Sequence, residues 1–191
     1  MIQGNKVIDC HAHYLTPELA AQFNKNIVLI QKIGKITHGR KVKQFKAKSA
    51  QAGKGANLQK SQWTFGQPWY DIDFRLEFLN ELGVDLQILS ASTYLSVFQN
   101  EQMLMEQINL SIGKIALEKP DKFKAVANIN PFKGAAAVND IKRLRDQYPY
   151  IAVSVKSSAH GKFLDDSECE PLYGFLAQQK LPLVIHPSFK P

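Results

Sequence analysis

Two rhythms alternate along this chain. Short runs rich in apolar and β-branched residues occur at Val7–His11, Val84–Leu89, Phe123–Ile129, Ile151–Val155 and Leu181–Ile185. Their near-continuous apolar character predicts strands covered on both faces. Between them the apolar residues take helical spacing. Phe74, Leu76, Phe78, Leu79 and Leu82 mark a helix over 71–82, with Asp71 as N-cap and Gly83 as stop. A second amphipathic helix is predicted over 101–118, closed by Lys119-Pro120, a third over 134–147 ahead of Pro149, and a fourth over 168–180. Strands alternating with helices define an α/β fold with a parallel sheet. Right-handed crossovers wind such units into an open sheet or a barrel. The first strand is followed by no Gly-rich phosphate-binding turn. It runs instead into His11-Ala12-His13, which favours the barrel. The expectation is an incomplete TIM-like (β/α) barrel of about five βα units, forming one domain over 1–191.

The rhythm is interrupted once, by an excursion over 16–70 between the first strand and its helix. Ile33–Lys46 alternates around His38-Gly39, the pattern of a basic β-hairpin, and Gln51–Gly55 reads as a loop. The excursion also explains the charge. The net charge is +7, yet residues 19–70 hold ten Lys/Arg and no Asp or Glu, leaving 24 − 10 = 14 basic against 17 acidic residues elsewhere. The body of the protein is therefore slightly acidic. The basic segment is a solvated insertion or a lid that attracts anions. It has few of the aromatics that single-strand nucleic-acid binders interleave with charge, so a nucleic-acid partner is not expected. Neither a signal peptide nor a membrane-length apolar run is legible. Two cysteines, Cys10 and Cys169, suggest no disulfide framework. A cytoplasmic location is the default expectation.

The candidate chemistry sits at the ends of strands. In a regular strand Asp9, His11 and His13 share one face and Cys10 and Ala12 the other, which would leave Cys10 packed outward under a helix. Imidazoles at the C-terminal end of a barrel strand face the mouth, where barrel active sites lie. His186 follows the fifth strand directly and reaches the same end. Neutral imidazole suits Zn²⁺ or another divalent metal. Lys156 ends the fourth strand, His160 follows it, and Ser90, Ser92 and Thr93 follow the second; these are candidates to line a substrate pocket.

Several motifs then fall in order. Val7-Ile8-Asp9-Cys10-His11-Ala12-His13 resembles the opening strand of the amidohydrolase-related family, the group of the aminocarboxymuconate-semialdehyde and γ-resorcylate decarboxylases. Arg75-Leu76 through Gly83-Val84-Asp85-Leu86 to Ser90 is similar to its first helix and second strand. Lys119-Pro120-Asp121-Lys122-Phe123 resembles its entry to strand three. Phe163-Leu164-Asp165-Asp166, Pro171-Leu172-Tyr173 and Leu181 to Pro187 are similar to its fourth and fifth units. The resemblance covers nearly the whole chain outside 19–65. It implies a metal-dependent hydrolase or decarboxylase of small, anionic substrates, with His11, His13 and His186 as metal ligands. Lys156 is then a structural or substrate contact, or a carbamylated bridge between two metals.

The resemblance also implies residues that this sequence does not contain. The family's fourth ligand, an aspartate on strand eight, and its histidine after strand six have no counterpart before Pro191. The expectation is a C-terminally shortened barrel with three metal ligands, weakened metal binding and low activity. Its exposed strand edges should drive homo-oligomerisation or pairing with a complementing C-terminal fragment. Ser61–Tyr70 holds no Arg or Lys where the aminocarboxymuconate enzyme anchors its substrate carboxylate. Two other readings open with His-x-His or use the basic segment: a TatD- or PHP-like phosphoesterase, and a non-catalytic, polyanion-binding remnant. The absence of Glu at the end of strand three, Asn128-Ile129-Asn130, weighs against the phosphoesterase.

Overall fold

The computed structural model describes residues 4–25, 66–91 and 100–188. Five parallel strands form one sheet in the order β1 (Ile8–Tyr14), β2 (Leu86–Ala91), β3 (Phe123–Asn128), β4 (Tyr150–Lys156) and, after a small excursion, β7 (Leu183–His186). Each strand lies beside its predecessor in this series, and every pairing is parallel. This is the predicted α/β architecture, the staves of a TIM-like barrel laid side by side.

The helices are α1 (Pro17–Lys25), α2 (Ile72–Glu81), α3 (Glu101–Glu118), α4 (Ala135–Arg145) and α5 (Glu170–Gln179). The core forms where they meet the sheet. Ile108 and Ile112 of α3, Ile141 and Leu144 of α4 and Leu172 of α5 are fully buried against Leu89, Phe123, Ala125 and Val153. Asp71 caps α2 as expected, accepting a hydrogen bond from Phe74 N at 3.0 Å. Gly83 ends the same unit at φ 70°. The predicted start of the last helix is too early. Asp166 caps a 3₁₀ turn over Ser167–Cys169, and Pro171 then sits in the first turn of α5.

Two elements depart from the expected pattern. The excursion after β1 begins with α1, whose Leu19, Ala20 and Phe23 are buried. Its signals are Pro17 in the first turn and Thr16 Oγ1 accepting from Leu19 N at 3.3 Å. The hairpin expected over 33–46 lies outside the described residues. The second departure follows β4, where β5 (Ser158–Ala159) and β6 (Lys162–Phe163) form a hairpin. Its two turn residues, His160 and Gly161, both have positive φ, 54° and 79°, the requirement of a type I′ turn.

Close approach explains one glycine. A Cβ at Gly113 in α3 would lie 2.7 Å from Tyr148 Cγ and from the Tyr150 hydroxyl, and 2.8 Å from Tyr148 Cβ. Tyr150 cannot yield readily, because its hydroxyl donates to the Asn109 carbonyl one turn earlier in α3. Gly113→Ala is therefore expected to cost about 1–3 kcal/mol through overpacking, read as a lower urea midpoint with an unchanged slope.

Candidate metal centre

The first strand does not run straight. Its register against β2 pairs Asp9 with Gln87 and then Ala12 with Leu89, three residues against two. Partners in a parallel pair share a face, and so do Gln87 and Leu89. Asp9 therefore lies on the face of Ala12, and not with His13 as strict alternation requires. Its carboxylate accepts from Gln87 Nε2 at 2.7 Å and from His11 N at 3.2 Å. The slip corrects a second expectation as well: Cys10 is exposed and not packed under a helix.

His11 and His13, two residues apart on β1, face each other. Their Nε2 atoms stand 3.2 Å apart, with the rings edge-to-face at 4.8 Å between centroids. His186, at the end of β7, brings its ring to 5.3 Å from both. The ligand atoms of the three residues all lie within 4.8 Å of one another. Residues 11, 13 and 186 thus converge at the C-terminal end of the sheet.

Hydrogen bonds fix which nitrogens face the centre. His186 Nδ1 lies 3.2 Å from the Pro187 carbonyl, which only accepts, so Nδ1 carries the proton and Nε2 keeps its lone pair. His13 Nδ1 meets Ser90 Oγ at 3.3 Å, and that hydroxyl also lies 3.5 Å from the Ala12 carbonyl. A hydroxyl donating to Ala12 accepts from Nδ1–H, which again leaves Nε2 free. Trp69 stacks beside His13 with its ring tilted by 21° at 6.0 Å.

Burial, then the charges of His11 and His186, push His13 down to about 4 from an ordinary 6.5. Burial, the largest cause, also lowers His186. Both are neutral at pH 7, the form that binds metals. Three convergent imidazoles, two of them held with Nε2 unprotonated, fit a divalent ion of borderline softness. The same shifts carry a stability consequence. A histidine with a depressed folded pKa takes up its proton more readily when unfolded. Metal-free protein is thus expected to keep the contribution of these neutral histidines above pH 6.5 and lose it as pH falls toward 4. Urea unfolding in chelator should show this decline, and His13→Ala should flatten it.

A buried cation holds the first strand from behind. Arg75 of α2 donates through Nε to the Pro68 carbonyl at 2.6 Å, through Nη1 to Gln87 Oε1 at 2.9 Å and through Nη2 to the His13 carbonyl at 2.7 Å. Gln87 passes the link on to Asp9. Burial lowers the guanidinium to about 10, leaving it charged at neutral pH. In the sequence Arg75 and Gln87 stand only within the motif of the second unit, and nothing there marks Trp69. An arginine inside an amphipathic helix reads as a surface charge until its neighbours are known.

Beside the cluster, and bordered by His186 of its three residues, opens a cavity of about 400 Å³. His186, Lys156 and His160 all border it. Lys156, a Cα partner of His186 in the sheet, is ion-paired to Glu101 at the start of α3. His160 is exposed at the hairpin turn, on the rim of the cavity. Ser90 stands behind His13 and is no part of the cavity wall. Ser92, Thr93 and His38 lie outside the described residues.

No family model matches the chain. The 2-amino-3-carboxymuconate-6-semialdehyde decarboxylase of Dictyostelium discoideum is 24% identical to it over 122 residues, 62% of this chain and 34% of the relative. Two solved structures share its fold. The 5-carboxyvanillate decarboxylase of Novosphingobium aromaticivorans, complexed with manganese and 4-hydroxy-3-methoxy-5-nitrobenzoic acid, superposes with a TM-score of 0.69 at 18% identity, covering 98% of this chain and 51% of that one. The 2,6-dihydroxybenzoate decarboxylase from Rhizobium gives 0.63 at 16%, covering 96% and 50%. The chain thus spans about half the length of these structures, and a smaller share of the curated relative. It is an α/β half-barrel with the fold of these decarboxylases, and the curated relative that it resembles in sequence is a decarboxylase as well. Among the described residues no helix is long and apolar enough to cross a membrane.

Proposed function

We propose that this chain supplies the metal-binding part of a divalent-metal-dependent decarboxylase or hydrolase acting on a small carboxylic acid. The observation that carries the reading is the convergence of three imidazoles from β1 and β7 beside a cavity large enough for a single-ring acid. His11, His13 and His186 would hold the ion, zinc or manganese. When bound, the metal supplies Lewis acidity toward a substrate oxygen or a coordinated water. The chain's own residues do the rest. Ser90 and the Pro187 carbonyl hold the imidazoles in the ligating tautomer. Lys156, paired with Glu101, lines the cavity, and His160 stands at its rim. Loss of carbon dioxide is favoured over hydrolysis because the relatives named above are decarboxylases.

The test is release of carbon dioxide from hydroxylated benzoic acids and dienoic acids after loading with Mn²⁺ or Zn²⁺. Metal-dependent release that disappears in His186→Ala supports the reading. Turnover of amide or ester substrates alone would move it to hydrolysis.

The same reading extends to assembly. Among the described residues β1 and β7 each have a strand on one side only, and Ile8, Val184 and Ile185 on them are exposed. Unpaired parallel edges invite association. A second copy, or the remaining staves of such a barrel on whatever chain carries them, is the expected cover for these edges. Light scattering at micromolar concentration should report a mass above that of one chain; a clean monomer that also turns over substrate would refute the requirement for a partner.

A further inference from the structure

The cavity beside the histidines has an unusual charge pattern. Among the described residues that line it, Lys156 is the only Lys or Arg and Glu101 the only carboxylate, and the two are paired with each other. Both side chains are largely enclosed, at 18% and 29% exposure. The remaining polar lining includes Asn128, Asn130 and Ser154, which are neutral. Among the described residues, the lysine that an anion meets in this space is already neutralised by the protein's own carboxylate.

We propose that Lys156 and Glu101 form a self-occupied carboxylate seat. Glu101 fills it in the free protein, and a carboxylate of the substrate takes its place on Lys156. Glu101 thereby sets which acids enter. A neutral molecule cannot displace it, and a weakly held monoanion does so at a cost in affinity.

Three features support displacement over a fixed structural pair. First, the pair borders open space, so a ligand reaches Lys156 without unpacking the core. Second, Glu101 has an alternative station. It is the first residue of α3, where a carboxylate is favoured by the exposed N–H groups, and Asn100 makes no side-chain cap there. Third, Lys156 and His186 are register partners on adjacent strands, whose backbones lie about 4.8 Å apart. A small acid seated on Lys156 can thus present a second oxygen toward the histidines. Only this last point rests on the metal-centre reading. It narrows the substrate class to compact acids with a carboxylate and a further oxygen donor a few ångströms away.

The test uses benzoate as the probe, titrated calorimetrically into chelator-treated protein. Glu101→Gln should bind benzoate about tenfold more tightly than the wild type, the scale of one charge-assisted hydrogen bond freed from competition. Lys156→Met and the double variant should bind none over the same range. Benzamide, the neutral analogue, should show no gain in Glu101→Gln. Equal benzoate affinity in wild type and Glu101→Gln overturns the proposal, as does binding that survives in a folded Lys156→Met. Should Lys156→Met fail to fold, the Glu101→Gln comparison still decides, because that change is nearly isosteric. Metal content measured on the same preparations separates the two readings. Benzoate gain without metal binding upholds the seat and removes the metal centre; metal binding without benzoate gain does the reverse.

Discussion

Replacing His13 by alanine is expected to abolish stoichiometric metal binding. Wild-type chain dialysed against Mn²⁺ or Zn²⁺ should retain about one ion per chain by plasma mass spectrometry, and His11→Ala, His13→Ala and His186→Ala should each retain none. The reason is coordination number. The cluster brings together three imidazoles whose atoms lie within 4.8 Å, and a site that loses one of three protein ligands falls back on two. Loss of a group that merely supports a ligand costs roughly 10–100-fold in affinity. Removal of the ligand itself should exceed that range, whereas Ser90→Ala, which removes the partner of His13 Nδ1, should fall within it. His160→Ala is the control. It borders the cavity but not the cluster and should leave metal content unchanged. Equal metal in the wild type and all five variants would show that the ion binds elsewhere.

Arg75→Ala is expected to be the most destabilising single change on the metal-centre side of the molecule. Arg75 is only 5% exposed, and its guanidinium satisfies three acceptors at once, the carbonyls of Pro68 and His13 and the amide oxygen of Gln87. Its removal strands those acceptors. Each stranded buried group costs about 1–3 kcal/mol, so the sum is several kcal/mol, a large share of a typical stability of about 5–15 kcal/mol. Arg75→Lys should recover little, because an ammonium cannot reproduce a planar fork to three acceptors. Urea unfolding measures the loss. Metal affinity below the transition gives an independent readout, since Arg75 holds the backbone of His13 itself. A midpoint near that of the wild type would mean that water replaces the guanidinium at all three acceptors.

Much of this was legible in the chain. The strands end close to their predicted limits because each is an apolar run bounded by turn residues, and that pattern needs no knowledge of neighbours. The 18-residue helix Glu101–Glu118 falls on its predicted span. The three histidines were legible as a group because each ends or follows a strand, and parallel strands deliver their C-terminal ends to one rim. The amidohydrolase resemblance rested on the same local runs. By contrast, α1 was hidden inside a basic stretch that reads as a loop, although Thr16-Pro17 marks its start.

What local pattern could not supply was the face on which each residue lands and the partner it meets there. The slip between Asp9 and Ala12 depends on how β1 registers against β2, residues 78 apart. It moves Asp9 to the core side and leaves Cys10 exposed. Arg75 was indistinguishable from a surface charge until the sheet placed three acceptors around it. The Glu101–Lys156 pair joins positions 55 apart. Periodicity reports which residues avoid water, because that preference belongs to each side chain alone. Hydrogen bonds and ion pairs belong to two residues at once, and only the tertiary fold decides which two.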